Sequence, residues 1–366
     1  MGEKLRVLVA TDSFKGSAKS REVCEAINRG WINIRPADEL TLIPVADGGE
    51  GTLEAIEARV SNAAKVFINV EFVVGSQRDA YWLLLPDGTA IVELAQACGI
   101  ELFSKLLPLE ASTYAFGQLL KSAVEDSRVR RIYATVGGSA STDGGAGALS
   151  ALGAEFFNGQ EKLKVVNGGN LKKVTRIDLS GMIKPSNVPV TCLVDVKNPL
   201  TGESGAAATF GPQKGANKDE VQLLAEGLEN FKQIAGLADY AGAGAAGGTS
   251  FGLTFGWNSK IEFGAEKICE LSGIREAMNE IDIVITGEGK FDHQSLNGKI
   301  TGAIVKLALE QNKRPFLCVG STEIKFSEVE VEGISLNDLS GNHEAAMNNT
   351  IYWLEKAGER LAEMAS

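Results

Sequence analysis

Two apolar runs near the start of the chain, "LRVLVATD" and "DELTLIPVAD", each end on an aspartate. Between them lies "SAKSREVCEAINRGWI", whose apolar residues recur at helical spacing. Strand, helix, strand in that order calls for a parallel sheet, because a parallel partner is reached only through a crossover. The helical stretch "GTLEAIEARV" follows, and then the pattern changes. "KVFINVEFVVG", "DAYWLLL" and "TAIVELA" read as short strands, the last two joined by the turn "PDGT", which is the signature of an antiparallel meander. Beyond it come a helix in "ASTYAFGQLLKSAVED", a strand in "RRIYATVGG", a helix in "GAGALSALGAEFF", a strand in "VPVTCLVDV" and a helix in "KDEVQLLAEGLENFKQIAGL". The βαβ rhythm resumes at "IDIVITGEG", "TGAIVKLALEQN" and "RPFLCVGS", and "NHEAAMNNTIYWLEKAGERLAEMA" reads as one closing helix. The simplest account is a Rossmann- or flavodoxin-like parallel-sheet α/β domain made from both chain ends, residues 1–65 and 281–366, with a mixed-sheet α/β domain, residues 66–280, inserted. Ligand sites form at the carboxyl ends of parallel strands and where domains face each other, so the active site is expected in the cleft.

Composition narrows the function. A chain of 366 residues is long enough for two cores, and 44% hydrophobic content supplies them. A formal charge of −11 disfavours nucleic acid, whose binding rests on phosphate neutralisation by Lys and Arg. No apolar run approaches the roughly 18 residues that suggest a membrane span, and the chain enters a strand pattern with no signal-peptide core. The five cysteines are scattered without a CxxC pair, which fits small core residues in a reducing cytoplasm. Two histidines, His293 and His343, leave no His-rich metal site.

Five polar, Gly-rich segments follow apolar runs: "TDSFKGS", "VADGGEGT", "VGGSASTDGGAG", "DVKNPLTGESG" with "FGPQKGA", and "ITGEGKFDHQSLNGK". One such loop means little, but five suggest a polar site assembled from many strand ends. No Walker A loop, no G-x-G-x-x-G at a strand–helix turn and no H-R-D loop is present, so any phosphate chemistry has an unfamiliar frame. In "VGGSASTDGGAG", Gly137 and Gly138 allow close backbone approach, Ser139, Ser141 and Thr142 add hydroxyls, and a helix start points its N–H groups at the loop. The ordinary alternative is a tight turn with Asp143 as a helix cap. "TDSFKGS" offers Asp12, Ser13 and Lys15, as a cation oriented by an acid or as an Asx turn beside a surface lysine. "VDVKN" sets Asp195 at a strand end three residues before Asn198, a spacing able to hold a metal or a hydroxyl. Lys214 sits in a loop too rich in Gly and Pro for a helix, and plain solvation is its alternative. Glu288, Lys290, Asp292, His293 and Lys299 crowd the last segment. "GAGAAGG" could approach a nucleotide or simply pack. "VADGGEGT" has the shape of a phosphate loop yet carries Asp47 and Glu50, where a helix start would welcome an anion.

Taken in order, Asp12–Ser17, Pro44–Thr52, Gly137–Gly145, Asp195–Ala206, Phe210–Ala216 and Ile285–Lys299 resemble the bacterial glycerate kinase family, of the glycerate 2-kinase type. The resemblance covers most of the chain. Thr11, where the family often has Pro, and Ser141-Thr142, in place of Thr-Asn, depart from it; nothing is carried over beyond Val319. The resemblance implies ATP-dependent phosphorylation of D-glycerate, with 2-phosphoglycerate favoured over 3-phosphoglycerate, in two α/β domains. A kinase for a related sugar acid and a non-catalytic nucleotide or sugar-acid binder are the alternatives. Such a kinase must orient or deprotonate a hydroxyl and hold Mg²⁺, and carboxylates do both. Asp195 is then the expected base with Asp47 second. Lys15 and Lys214 are expected to hold phosphate or the substrate carboxylate, and Asp47, Glu50 and Glu288 to serve metal or hydroxyl. Asp12, Ser13, Gly137, Gly138, Ser139, Asp143, Asn198, Lys290 and Lys299 complete the expected binding set. Partners are small molecules, ATP and D-glycerate; oligomeric state is open, a homodimer included.

Overall fold

The structure, a computed structural model, describes residues 3–72, 75–296 and 298–366. Val73 and Val74 of the first meander strand, and Asn297 of the last loop, lie outside the described residues. Two large sheets dominate. Their strands in chain order are β1 (Arg6–Thr11), β2 (Glu39–Leu42), β3 (Ala64–Glu71), β4 (Gln77–Leu84), β5 (Thr89–Glu93) and β6 (Arg131–Thr135). They continue as β7 (Val190–Val194), β8 (Lys260–Phe263), β9 (Ile283–Gly287), β10 (Arg314–Val319) and β11 (Glu332–Ser335).

The chain divides into two compact units. One comprises Met1–Asp47, Glu54–Val60 and Gly264–Ser366; the other comprises Gly48–Leu53 and Ser61–Phe263. The helices Gly264–Leu271 and Ile274–Ala277 thus group with the terminal unit.

In the terminal unit the sheet order is β2-β1-β9-β10-β11, parallel throughout. Counted within this unit the order is 2-1-3-4-5, the flavodoxin-like arrangement, whose winding reverses between its first and third strands, here β1 and β9. Layers on both faces explain why β1, β9 and β10 read as continuous apolar runs. Phe316 and Cys318 pack with Ile27, Trp31 and Leu354 on one face, while Leu317 and Val319 pack with Phe291 and Val305 on the other. Helices Ser20–Ile34 and Thr350–Met364 cross closely on the first face. A Cβ on Gly30 would overlap the Glu355 carbonyl, and one on Gly358 the Ile27 carbonyl.

In the other unit the order is β3-β4-β5-β6-β7-β8. β3, β4 and β5 form the antiparallel meander; β5 through β8 are parallel. The mixed sheet follows from the connections: "PDGT" closes a tight turn with Asp87 accepting from Thr89, whereas helices such as Tyr114–Glu125 bridge the parallel strands.

Two local readings change. The helix expected through "GAGALSALGAEFF" stops at Ala151, and Glu155–Asn158 is a strand of a small three-stranded sheet, because Gly153 turns the chain at φ 102°. The closing helix is two, His343–Asn348 and Thr350–Met364, broken at the non-helical Asn349. "GAGAAGGTSFG" leads into helix Ala245–Trp257, with Ala246, Gly247 and Gly248 left-handed at its start. A Cβ on Gly247 would strike the Ser141 carbonyl and one on Gly252 the Gly144 carbonyl, so this segment is smooth in order to press against the 141–145 loop.

Gly30→Val should therefore destabilise the protein by about 2–3 kcal/mol, since a backbone carbonyl cannot give way as a flexible side chain can. The shift in denaturation midpoint measures it, and an unchanged midpoint would show that the helix pair has room.

Candidate functional site

Each unit gathers polar residues at the carboxyl ends of its parallel strands. In the terminal unit, β1 and β9 pair Thr11 with Gly287, so Asp12 and Glu288 follow as neighbours at the point where the winding reverses. The Asp12 N–H donates to the Gly287 carbonyl at 2.8 Å, and the Ser13 N–H donates to Asp12 Oδ1 at 2.6 Å. Burial pushes the Asp12 carboxyl up to about 6; the Ser13 N–H, Lys15 and Lys299 oppose the rise, and Glu288 adds to it. Lys15, three residues on, is exposed.

Glu288 is 6% exposed. Its Oε2 accepts from Lys299 Nζ at 3.0 Å, while Oε1, also buried, has no hydrogen-bond partner among the described residues. Burial works against the Lys299 ammonium, but Glu288 outweighs it and holds that lysine above its ordinary value. Lys299 directly precedes helix Ile300–Glu310, and Asp47 Oδ1 accepts the first N–H of that helix, from Ile300 at 3.0 Å. Asp47 therefore sits at a positive helix end, though not of the helix it precedes, an interaction worth about 0.3–1 kcal/mol. Lys290 pairs with Glu323 at 2.7 Å, both more than half exposed, and Asp292 caps the short helix His293–Leu296 through the Gln294 and Ser295 N–H groups. Lys290 thus lies in a surface ion pair.

In the other unit, β5, β6 and β7 bring three strand ends into register, Glu93 opposite Thr135 and Thr135 opposite Leu193. The 137–143 loop and Asp195 follow directly. Gly137 is packed so closely on Gly49 that a Cβ would collide with its backbone, and the Gly137 N–H donates to the Gly48 carbonyl at 3.0 Å. Gly138 is left-handed, φ 71°, and exposed; Ser139 beside it is 7% exposed. Glu50, in the adjoining turn, is exposed. Asp195 is half-buried just past β7. The Asn198 amide donates to the Ser204 carbonyl at 2.8 Å and to Thr209 Oγ1 at 3.3 Å, folding the 198–209 turn.

Asp143 takes the capping alternative. It is fully buried and its oxygens accept from Thr113 N and Oγ1 at 2.8 Å, Gly145 N at 3.1 Å, Gly147 N at 3.2 Å and Ser112 Oγ at 3.4 Å. Burial raises its pKa against these donors. It locks the starts of two helices, Tyr114–Glu125 and Ala146–Ala151, and so fastens the loop. Lys214 also departs from plain solvation: it is 4% exposed, at the end of a one-turn helix closed by Gly215. Glu93 escaped the motif reading. It is fully buried at the end of β5, and its Oε2 accepts the Leu53 N–H at 2.9 Å, anchoring the turn that carries Glu50. The signal available was an acid closing an otherwise apolar strand, "TAIVE".

Among the described residues no group of three or more His, Cys, Asp or Glu side chains could hold a metal alone, and no helix is long and apolar enough to cross a membrane. The raised Asp12 pKa has a linkage consequence. The folded value, about 6, exceeds the ordinary aspartate value of 3.8, so the stabilising effect is present below the lower value and lost as pH rises through about 6. Asp12→Asn should accordingly raise the melting temperature of the ligand-free protein at neutral pH and leave it unchanged near pH 4. A variant equally stable or weaker at neutral pH would show that Asp12 is not held at such a cost.

Known proteins share this frame. A family model described as the glycerate kinase family matches residues 7–366. A glycerate kinase of Halalkalibacterium halodurans is 35% identical, covering 98% of each chain. A glycerate 2-kinase of Escherichia coli is 35% identical over 90% of this chain and 89% of its own. The crystal structure described as glycerate kinase 2 from Salmonella typhimurium LT2 superposes with a TM-score of 0.76 at 29% identity, covering 99% of this chain and 98% of that one. With the family pattern running from β1 to the last helix, the chain belongs to the glycerate kinase family.

Proposed function

We propose that the protein is an ATP-dependent kinase that phosphorylates D-glycerate and releases ADP. The observation that carries this reading is the family match over residues 7–366, on a chain whose polar loops cluster at parallel-strand ends. The name of the Escherichia coli relative, glycerate 2-kinase, favours 2-phosphoglycerate as product.

The chemistry asks for positioning and charge neutralisation more than for covalent steps. The glycerate hydroxyl oxygen bonds to the γ-phosphorus, the bond to the β,γ-bridging oxygen breaks, and the hydroxyl proton goes to a carboxylate. Asp195 takes that proton in our assignment, with Asp47 as the second choice, because Asp195 follows a buried strand end and lies beside the ordered Asn198 turn. Gly137, Gly138 and Ser139 form the phosphate cradle of their unit; in the terminal unit Lys15 and Lys299 supply positive charge.

The acids also fit Mg²⁺. Mg²⁺ at kinase sites takes one or two carboxylates and completes its shell with phosphate and water. Asp12 and Glu288 adjoin, and Glu288 Oε1 is buried with no hydrogen-bond partner among the described residues, so this pair would hold the ion, with Asp47 of the same unit as a further acceptor. When bound, Mg²⁺ screens phosphate charge that these carboxylates would otherwise repel.

ADP release should depend on D-glycerate and cease in excess EDTA, and phosphorus NMR of the product should show the 2-phosphate. Glycerate-independent release, or full activity in EDTA on metal-stripped protein, would count against the reading. Asp195→Asn should lose about 10²–10⁴-fold in kcat with its melting temperature unchanged. Near-normal turnover would move the base to Asp47.

A further inference from the structure

Lysine is almost never fully buried unless its charge is matched. Lys214 is 4% exposed, and among the described residues it forms no ion pair. Its ammonium donates instead to two neutral oxygens, Ser139 Oγ at 2.9 Å and the Ser141 carbonyl at 2.5 Å. Asp143, the buried carboxylate whose charge acts on it, is taken up by donors from Ser112, Thr113, Gly145 and Gly147. Gly215 lets the chain turn immediately after the lysine, and its missing Cβ makes room for Leu106. A buried cation is therefore directed at the rim of the 137–139 loop.

We infer that Lys214 is a positioning residue: by donating to Ser139 Oγ it turns the Ser139 hydroxyl hydrogen away from itself, so that Ser139 donates to an anionic group of the ligand. The inference rests on the reading of Gly137–Ser139 as an anion cradle. A serine oxygen has one hydrogen and two lone pairs, whereas an ammonium has hydrogens and no lone pair. With the ammonium on one lone pair, the Ser139 hydrogen cannot point at Lys214. Ser139 retains a sliver of exposure next to the exposed Gly138, where an anion would approach. Deprotonation reverses the arrangement, because a neutral amine accepts and the Ser139 hydrogen can turn inward.

This switch lies within reach of experiment. Burial pulls the Lys214 ammonium down to about 8, with Cys98 and Asp143 acting in the opposite direction. Those are the titratable groups facing it; the Cys98 thiol is itself pushed far up by burial and stays protonated. The cradle could hold a nucleotide phosphate or the glycerate carboxylate, which share the chemistry of an oxyanion.

The test is calorimetric titration with ADP and, separately, with D-glycerate from about pH 7.5 to about pH 9.5, on wild type, Ser139→Ala, Lys214→Arg and Lys214→Met. For the anion in the cradle, wild-type affinity should fall about tenfold or more as pH rises, as expected for losing a hydrogen bond to a charged group. Ser139→Ala should bind weakly with no such pH dependence. Lys214→Arg, which stays charged, should lose the pH dependence as well. Lys214→Met should bind weakly at every pH. Dependence in the ADP arm identifies phosphate, and in the glycerate arm carboxylate. The same pH dependence in Ser139→Ala as in wild type, or none in wild type for either ligand, overturns the inference. Absence of wild-type turnover with ATP and D-glycerate overturns the kinase assignment separately, since binding and turnover are read independently.

Discussion

The pairing of β1 with β9 is the constraint on which the terminal unit depends. It joins the first strand of the chain to one beginning at Ile283, and it is held at both ends: the Arg6 N–H donates to Asp282 Oδ2 at 2.8 Å, and the Asp12 N–H to the Gly287 carbonyl. A slip of one residue would turn every side chain to the opposite face, so the buried pattern of both strands enforces the register. That register sets Asp12 beside Glu288. Gly287 is equally restricted, since a Cβ there would overlap the Cys318 carbonyl of β10. The close fit of three backbones places the two acids.

The other unit solves a different problem, which is how to keep a glycine-rich loop rigid. Glycines lower the barrier to backbone approach but add chain entropy in the unfolded state. Here the loop is fastened from behind by Asp143, from the side by the smooth 246–252 segment and from in front by Gly48 and Gly49. A polar network of this kind stabilises only when its members are satisfied, and Asp143 is. The result is a loop backbone held in one geometry, as the phosphate cradle proposed for it would need.

Carboxylates at a helix start looked misplaced for a protein expected to bind phosphate. Their surroundings resolve the conflict. Asp47 is matched to the N-terminus of helix Ile300–Glu310, and Glu288 is matched on one oxygen by Lys299. Asp12, with only Ser13 N–H and two lysines to oppose burial and Glu288, is the acid held at an unfavourable ionisation. In the proposed reading, a shared cation would relieve both carboxylates at once.

Much of this was legible from residue order. Apolar runs ending in Asp12 and Asp195 announced strand ends, though the run closing on Asp47 leaves its strand at Leu42, and the return of the βαβ rhythm near Ile281 pointed to a sheet closed by the chain's two ends. Local stops were less legible: Gly153 and Asn349 end helices that periodicity alone would extend. The partners of Asp143, Lys214 and Glu93 lay beyond reach, and for one reason. Sequence determined which groups can carry charge and which strand end they follow. Whether each group keeps its water, and what replaces that water, is decided by atoms from distant segments: Thr113 for Asp143, Ser139 for Lys214 and Leu53 for Glu93. Desolvation and hydrogen-bond satisfaction are properties of the packed chain, so only the tertiary structure separated the fasteners from the groups left able to meet a ligand.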